Sequence, residues 1–170
     1  MMRLRGLLFL AFVAACVGCA SAPVADTKAQ DKAAIQALES KFQTAFNAKD
    51  INAIMALYTP GESLIVFDAS PPRQYTGWDD YKKDWKHFFA AIPGPVDFKL
   101  TDLEITVGGD VAYSHSIQHV TGTDKAGKKT ELTVRVTDGY KKVNGQWLIS
   151  HEHVSVPVDF ATMKPVLDSK

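Results

Sequence analysis

The chain contains little cysteine, and its only two cysteines, Cys16 and Cys19, lie near the N-terminus. The absence of cysteine from the rest of the chain excludes disulfides, thiolate nucleophiles and cysteine-bound metals there. The folded part must therefore be held together by a hydrophobic core. A chain of 170 residues is long enough to bury such a core, and its length favours a single domain.

An excess of charge of one sign is also missing, because 19 Lys and Arg residues stand against 19 Asp and Glu residues. Removing the N-terminal segment with Arg3 and Arg5 leaves 17 basic residues against 19 acidic ones. Nucleic-acid-binding domains usually carry a basic patch, so no nucleic-acid partner is predicted. Glycine-rich phosphate loops and nucleophile-elbow motifs are missing as well, and the sequence predicts no cofactor.

No apolar run is long enough for a membrane-spanning helix, which needs about 20 residues. The longest run, at residues 6–15, has ten residues. Arg3 and Arg5 precede it and small residues follow it, which is the layout of a secretory signal. We therefore predict that residues 1–22 are a signal peptide and that the mature protein is periplasmic.

Two routes for removing this signal fit the sequence. Ala20-Ser21-Ala22 matches the small-x-small site of ordinary signal peptidase. Val13-Ala14-Ala15-Cys16 resembles a bacterial lipobox, and a poorer second version ends at Cys19. On the lipobox route the cysteine carries lipid and anchors the protein to a membrane. On the other route both cysteines are simply apolar signal residues. The sequence favours the lipoprotein.

Three helices are predicted after a polar tether at residues 23–30. The first begins at Asp31, and its apolar residues recur at spacings of three and four: Ile35, Leu38, Phe42 and Phe46. A second, short helix starts after Asp50, a good N-cap, and ends at Tyr58. The third begins near Gly77 and carries an aromatic stripe: Trp78, Tyr81, Trp85, Phe88 and Phe89.

Strands dominate the remainder of the pattern. A short strand at residues 64–68 precedes the third helix, and four longer strands follow it, at residues 98–107, 111–121, 129–142 and 147–156. Asn144-Gly145 joins the last two strands, and this dipeptide is a strong hairpin signal. The order predicts an α+β fold, in which N-terminal helices pack on a curved, mostly antiparallel sheet. Residues 159–170 are predicted to form a tail.

Two blocks of motifs resemble the nuclear transport factor 2-like superfamily. The first block resembles the helix–strand–loop–helix opening of that superfamily. It consists of Tyr58, the strand to Asp68, Pro72 and Gly77-Trp78. The closing hairpin of SnoaL-like proteins is similar to a second block: residues 135–142, 144–149 and 151–157. The resemblance covers about residues 31–158 and implies a cone-shaped domain, which often forms a homodimer through the outer face of its sheet. It is weak for function, because the superfamily includes isomerases, cyclases, dehydratases, hydrolases and non-catalytic modules.

Asp68 is the first candidate for chemistry. The resemblance to the ketosteroid isomerase branch implies a general-base aspartate near the end of the first strand, shortly before a proline. Asp68 stands four residues before Pro72 and matches that place. A carboxylate facing an apolar interior would have a raised pKa and could act as a base. The alternative is an aspartate that caps the turn towards Ser70.

His151 and His153 share one face of the last predicted strand. We predict that this face points into a pocket. In the alternative, the side chains of the other face, which include Glu152, point towards the helices instead. The two histidines could bracket a metal ion together with His115 or Asp68. Nothing in the sequence places a third ligand, so no metal is predicted.

Five further residues are candidate ligand contacts: Arg135, His115, Tyr58, Tyr81 and Trp85. A half-buried guanidinium could bind a carboxylate through two hydrogen bonds, although a solvated strand face would explain Arg135 equally well. His115 could line the pocket or be a structural residue. The three aromatic residues could line an apolar mouth or belong to the packed core.

These observations lead to two functional hypotheses. In the first, an exported pocket domain binds a small organic ligand and acts as an isomerase, lyase or hydrolase, with Asp68 and a histidine as acid and base. In the second, the domain is a non-catalytic ligand-binding or dimerisation module. The first predicts that Asp68, Arg135, His151 and His153 point into a single cavity.

Overall fold

The computed structural model describes residues 24–169; the predicted signal peptide and both cysteines lie outside this range. Three α-helices and eight β-strands follow one another in this order: α1 (Val24–Asn47), α2 (Ile51–Met55), β1 (Ile65–Phe67), β2 (Tyr75–Thr76), α3 (Trp78–Ala91), β3 (Asp97–Gly108), β4 (Val111–Thr123), β5 (Lys129–Val143), β6 (Gln146–Ser155), β7 (Val158–Asp159) and β8 (Lys164–Pro165). Within residues 24–169, no helix has the length and apolarity that a membrane crossing requires.

Six of the strands form one sheet in the order β2-β1-β6-β5-β4-β3. Every neighbouring pair is antiparallel except β1 and β6, which run parallel. The β5–β6 hairpin turns at Asn144 and Gly145, whose φ angles of 50° and 80° suit a tight hairpin turn. The predicted α+β architecture, with helices on one face of a curved and mostly antiparallel sheet, is confirmed.

The core lies between α1, α3 and the inner face of this sheet. The apolar stripe of α1 is buried as its periodicity predicts: Ile35, Leu38, Phe42 and Phe46 are at most 5% exposed. The ring of Phe46 stacks on Phe98, with centroids 4.5 Å apart, and meets Phe89 edge-on at 5.3 Å. Phe88 is only half-buried. This aromatic cluster fixes α1 and α3 over the long strands.

Three features differ from the sequence prediction. Helix α1 begins at Val24, so residues 24–30 are helical rather than an irregular tether. Strand β2 pairs with β1 in the loop before α3, and β7 pairs with β8 in the predicted tail. Strands of two residues are too short to show a period-two pattern, and their pairing depends on neighbours distant in sequence.

Candidate functional site

A cavity of about 280 Å³ lies between the inner face of the sheet and helices α1 and α3. Six aromatic side chains line it: Phe42, Phe46, Tyr81, Trp85, Phe88 and Phe98. Its polar lining consists of Asp68, Ser70, Asp84, His87, Gln118 and Glu152. Mostly apolar walls with a few polar groups are typical of a small-molecule site.

Glu152 is the buried carboxyl of this cavity, with 4% of its surface exposed. Its Oε2 accepts a hydrogen bond of 2.6 Å from the Tyr58 hydroxyl, and its Oε1 accepts one of 2.5 Å from the Tyr81 hydroxyl. Burial raises the pKa of Glu152 to about 7, although the two hydrogen bonds oppose this rise. Both protonation states are therefore populated near neutral pH.

Two more buried carboxyls lie behind Glu152. Asp138 on β5 is its direct partner across the antiparallel ladder, and Ser114 on β4 is the next partner in the same row. Glu39 on α1 accepts a hydrogen bond of 2.7 Å from the Tyr140 hydroxyl, which lies 2.7 Å from Ser114 Oγ. We call Glu39, Asp138 and Glu152 the acidic cluster.

Burial also controls the protonation of the other two members of the acidic cluster. It raises the pKa of Glu39 to about 7 and that of Asp138 well above its usual range. Charge on Glu152 and Glu39 raises the pKa of Asp138 further. The cluster therefore holds protons at neutral pH, because ionising all three carboxyls in an apolar interior would be costly.

Asp68 lines the same cavity from the end of β1 and is half-buried. Its Oδ1 accepts hydrogen bonds from the Ser70 backbone nitrogen at 3.0 Å and from the Ser70 hydroxyl at 3.2 Å. Burial raises its pKa, and these hydrogen bonds oppose the rise. Asp68 is thus both a residue of the cavity lining and the cap of the turn at Ser70.

The prediction that His151 and His153 point into the cavity is wrong. A β-bulge interrupts the β5–β6 ladder, because Tyr140 pairs with Ile149 whereas Gly139 pairs with His151, which leaves Ser150 as an extra residue. Odd-numbered side chains of β6 therefore face the core before the bulge, and even-numbered side chains face it after the bulge. Trp147 and Ile149 face the core, and after the bulge the core positions are Glu152 and Val154.

On the outer face, the two histidines flank Phe67. The ring centroids of His151 and His153 lie 5.0 and 5.7 Å from that of Phe67. His151 Nδ1 also lies 2.8 Å from the backbone oxygen of Ile65. Within residues 24–169, no group of three His, Cys, Asp or Glu side chains is placed to hold a metal ion.

Arg135 and His115 are likewise exposed, so their predicted place in the cavity is wrong. On β5 the buried neighbours are Val134 and Val136, and regular alternation turns Arg135 outwards. On β4, Ser114 is buried and His115 is exposed for the same reason. Of the four ionisable residues predicted to converge, only Asp68 lines the cavity.

The predicted aromatic contacts lie at or beside the cavity. Tyr81 and Trp85 are part of its wall. Tyr58 holds Glu152 through the hydrogen bond described above. All three are at most 8% exposed, so they also belong to the packed core that the sequence offered as the alternative.

The sequence analysis placed Glu152 towards the helices only in its alternative for the last strand, and it missed Glu39 and Asp138, although signals for both were present. Asp138 has the same parity as the buried residues Val134 and Val136 on a regular strand. Glu39 lies four residues after Ile35, within the apolar stripe of α1. A carboxyl at a core position of an amphipathic pattern must be paired or functional.

The order of helices and strands, together with a cavity between them, defines a nuclear transport factor 2-like cone. Residues 35–159 match the family model of the SnoaL-like domain, and the chain therefore belongs to this family. No curated protein matches the chain. It is similar to a solved nuclear transport factor 2-like protein of unknown function from Pseudomonas putida, with 28% identity, 86% and 97% of the two chains covered, and a TM-score of 0.73.

Two more distant structures share the fold. One is a protein named as a candidate dehydratase of the same superfamily from Streptomyces avermitilis, at 16% identity, with 82% of this chain and 99% of that chain covered and a TM-score of 0.67. The other is a ketosteroid isomerase-like protein from Erwinia carotovora, at 24% identity, with coverage of 72% and 93% and a TM-score of 0.62.

Proposed function

We propose that the cavity binds a small, largely apolar organic ligand and that the Glu152 carboxyl exchanges a proton with it. The observation that carries this proposal is the position of Glu152, a buried carboxyl in the cavity lining that two tyrosine hydroxyls hold in place. A pKa of about 7 suits a general acid or base at neutral pH. The reaction class is proton transfer in an isomerase, lyase or hydrolase.

Other lining groups have defined roles in this proposal. Asp68, with its raised pKa, provides a second acid–base group from the end of β1. Trp85 belongs to the cavity wall, and its indole nitrogen is buried without a hydrogen-bond acceptor. The named activities of the structural neighbours are compatible with this chemistry, although at 16% and 24% identity they support only the fold.

Filling the cavity should abolish ligand binding. Val154 lines the cavity, so Val154→Phe places a ring in its space. We expect this variant to bind para-methoxybenzyl alcohol, a neutral monocyclic probe, at least tenfold more weakly than the unaltered protein in NMR titrations. The control is Ser155→Phe, which adds the same ring on the other face of β6. Equal binding by both variants would place the probe outside the cavity and contradict the proposal.

The competing assignment is a non-catalytic ligand-binding or dimerisation module. If screening finds a substrate, Glu152→Gln should convert it at least about 100-fold more slowly than the unaltered protein does. This is the usual scale for removing an acid–base group. A ligand that binds this cavity without conversion would favour the module instead.

We also propose that a second copy of the chain packs on the outer face of the sheet. Three apolar side chains are exposed there: Phe67 at 37%, Val111 at 56% and Tyr113 at 53%. Val111 and Tyr113 lie close together on β4, whereas Phe67 lies on β1, with β6 and β5 between them. An exposed apolar patch such as that of Val111 and Tyr113 can serve as an interaction surface. A homodimer would cover this patch and leave the cavity on the opposite face accessible.

Export through the N-terminal signal, with lipid on Cys16 or Cys19, remains our proposal for the location of the protein. Native mass spectrometry of the protein from the membrane, periplasmic and cytosolic fractions of bacteria tests this proposal and the homodimer together. We expect a chain that begins at one of the two cysteines, carries lipid and is present in two copies. An unmodified N-terminus at Pro23 would contradict the lipid anchor, and full-length cytosolic protein would contradict export.

A further inference from the structure

The ionisable groups that line the cavity are three carboxyls and one histidine, His87. Three carboxyls belong to its wall, those of Asp68, Asp84 and Glu152, and neither lysine nor arginine does. Asp138 and Glu39 add two more carboxyls behind Glu152. A site built for an anionic ligand would offer a guanidinium or an ammonium. Carboxyls in an apolar cavity instead favour a ligand that brings positive charge.

Nearby lysines do not supply that charge, because they are engaged elsewhere. Lys142 Nζ pairs with Asp31 Oδ1 at 2.6 Å. Lys49 Nζ donates to the backbone oxygens of Ile92 and Gly94. No ion pair among residues 24–169 joins a lysine or arginine to the acidic cluster. Ionisation of Glu152 therefore lacks a compensating cation within the described part of the chain.

The cavity walls suit an organic cation with an apolar body. The faces of aromatic rings attract ammonium groups, and six aromatic side chains surround the cavity. Its volume of about 280 Å³ exceeds the roughly 150 Å³ that hold a benzene molecule in a buried cavity. One ring with a short substituent at each end therefore fits.

We propose that the ligand of this cavity is a monocyclic organic ammonium ion, whose charged group binds Glu152 and whose body lies between the aromatic walls. This inference rests on the proposed function, because it names the ligand class of the same cavity.

Binding of a cation should be linked to release of a proton. The groups that face or influence Glu152 are Tyr58 before β1, Tyr81 on α3, Asp138 on β5, Glu39 on α1 and Asp68 at the end of β1. Asp84 and His87 on α3 also line the cavity. The pKa of Glu152 is raised to about 7, so about a tenth of the protein has this carboxylate ionised at pH 6, and about nine tenths at pH 8. If the ionised form binds the ammonium, the affinity should rise about tenfold over this interval.

Three shape-matched probes test the proposal by calorimetry at pH 8: para-methoxybenzylamine, para-methoxybenzyl alcohol and para-methoxybenzoate. Each carries the same ring and ether oxygen, and only the charge of the other substituent differs. We expect the amine to bind at least tenfold more tightly than the alcohol, and the benzoate to bind most weakly. The amine affinity should fall about tenfold at pH 6, and binding there should release protons into the buffer.

Glu152→Gln should remove the preference for the amine over the alcohol. Glu131→Gln, at an exposed position on β5, is the control and should retain the preference. Asp68→Asn provides a second test that does not alter the buried carboxyl, and it should weaken binding of the amine by a smaller factor.

Equal affinity for amine and alcohol, or an amine preference that survives in Glu152→Gln, would overturn the ammonium assignment. The alcohol would then still report on the proposed function through Val154→Phe. If that cavity-filling variant leaves the binding of all three probes unchanged, the cavity function itself fails.

Discussion

Raising the pH from 5 to 8 is expected to lower the free energy of unfolding of this domain by several kcal/mol. Burial raises the pKa of both Glu39 and Glu152 to about 7, whereas in the unfolded chain both titrate near 4.3. Between these values the folded state binds more protons than the unfolded state, so stability falls as pH rises. The stabilising contribution is complete below about pH 4.3 and is lost as the pH passes through 7.

The size of the change in the free energy of unfolding follows from how far the two pKa values are raised. One pKa unit corresponds to about 1.4 kcal/mol, so each carboxyl contributes on the order of 3 kcal/mol. Urea unfolding at pH 5, 6, 7 and 8, at constant ionic strength, measures the change. Glu39→Gln removes one titrating group from α1, and its stability should therefore depend less on pH. A stability that is constant or rises over this interval would show that these carboxyls do not retain their protons in the folded state.

Replacing Phe46 with alanine is expected to cost about 3–5 kcal/mol of folding free energy, through lost burial and the cavity that is left. Phe46 is 3% exposed, and its ring packs between α3 and β3. Besides stacking on Phe98, it meets the ring of Trp85 edge-on at 5.6 Å. Aromatic pairs of this geometry add stability beyond the buried area.

Phe160→Ala is the matched control, because this ring is 85% exposed and its loss should change stability by less than about 0.5 kcal/mol. Both free energies can be measured by urea unfolding at pH 6. A cost below about 1 kcal/mol for Phe46→Ala would mean that the stripe of α1 does not pack on the sheet as described.

The helices and long strands could be predicted from the sequence because each carries its own repeating pattern. Ile35, Leu38, Phe42 and Phe46 mark the buried face of α1 without reference to any other segment. The Asn144-Gly145 turn likewise depends on local backbone preferences. These local signals agree with the tertiary structure, and so the fold class could be recognised.

The site could be predicted only in part, because it depends on one irregularity in strand pairing. Asp68 was placed through a family resemblance, and Tyr81 and Trp85 through the aromatic stripe of α3. The favoured interpretation placed Glu152 on the outer face because period-two alternation was continued from Ile149 through the bulge at Ser150. A bulge changes only the pairing with the neighbouring strand, and the residues of β6 alone do not reveal it.

The extra residue at Ser150 also suggests how proteins of this shape can diverge. The sequence His151-Glu152-His153 offers imidazole on one side of the strand and carboxyl on the other. Deleting Ser150 would leave the two sides as they are, because Ile149 already pairs with Tyr140 and His151 with Gly139. If Ser150 were instead paired regularly with Gly139, the register would shift by one position and every following side chain would turn over. Whether carboxyl or imidazole lines the chamber therefore depends on whether this one residue is bulged or paired, and the helices that enclose the chamber need not change.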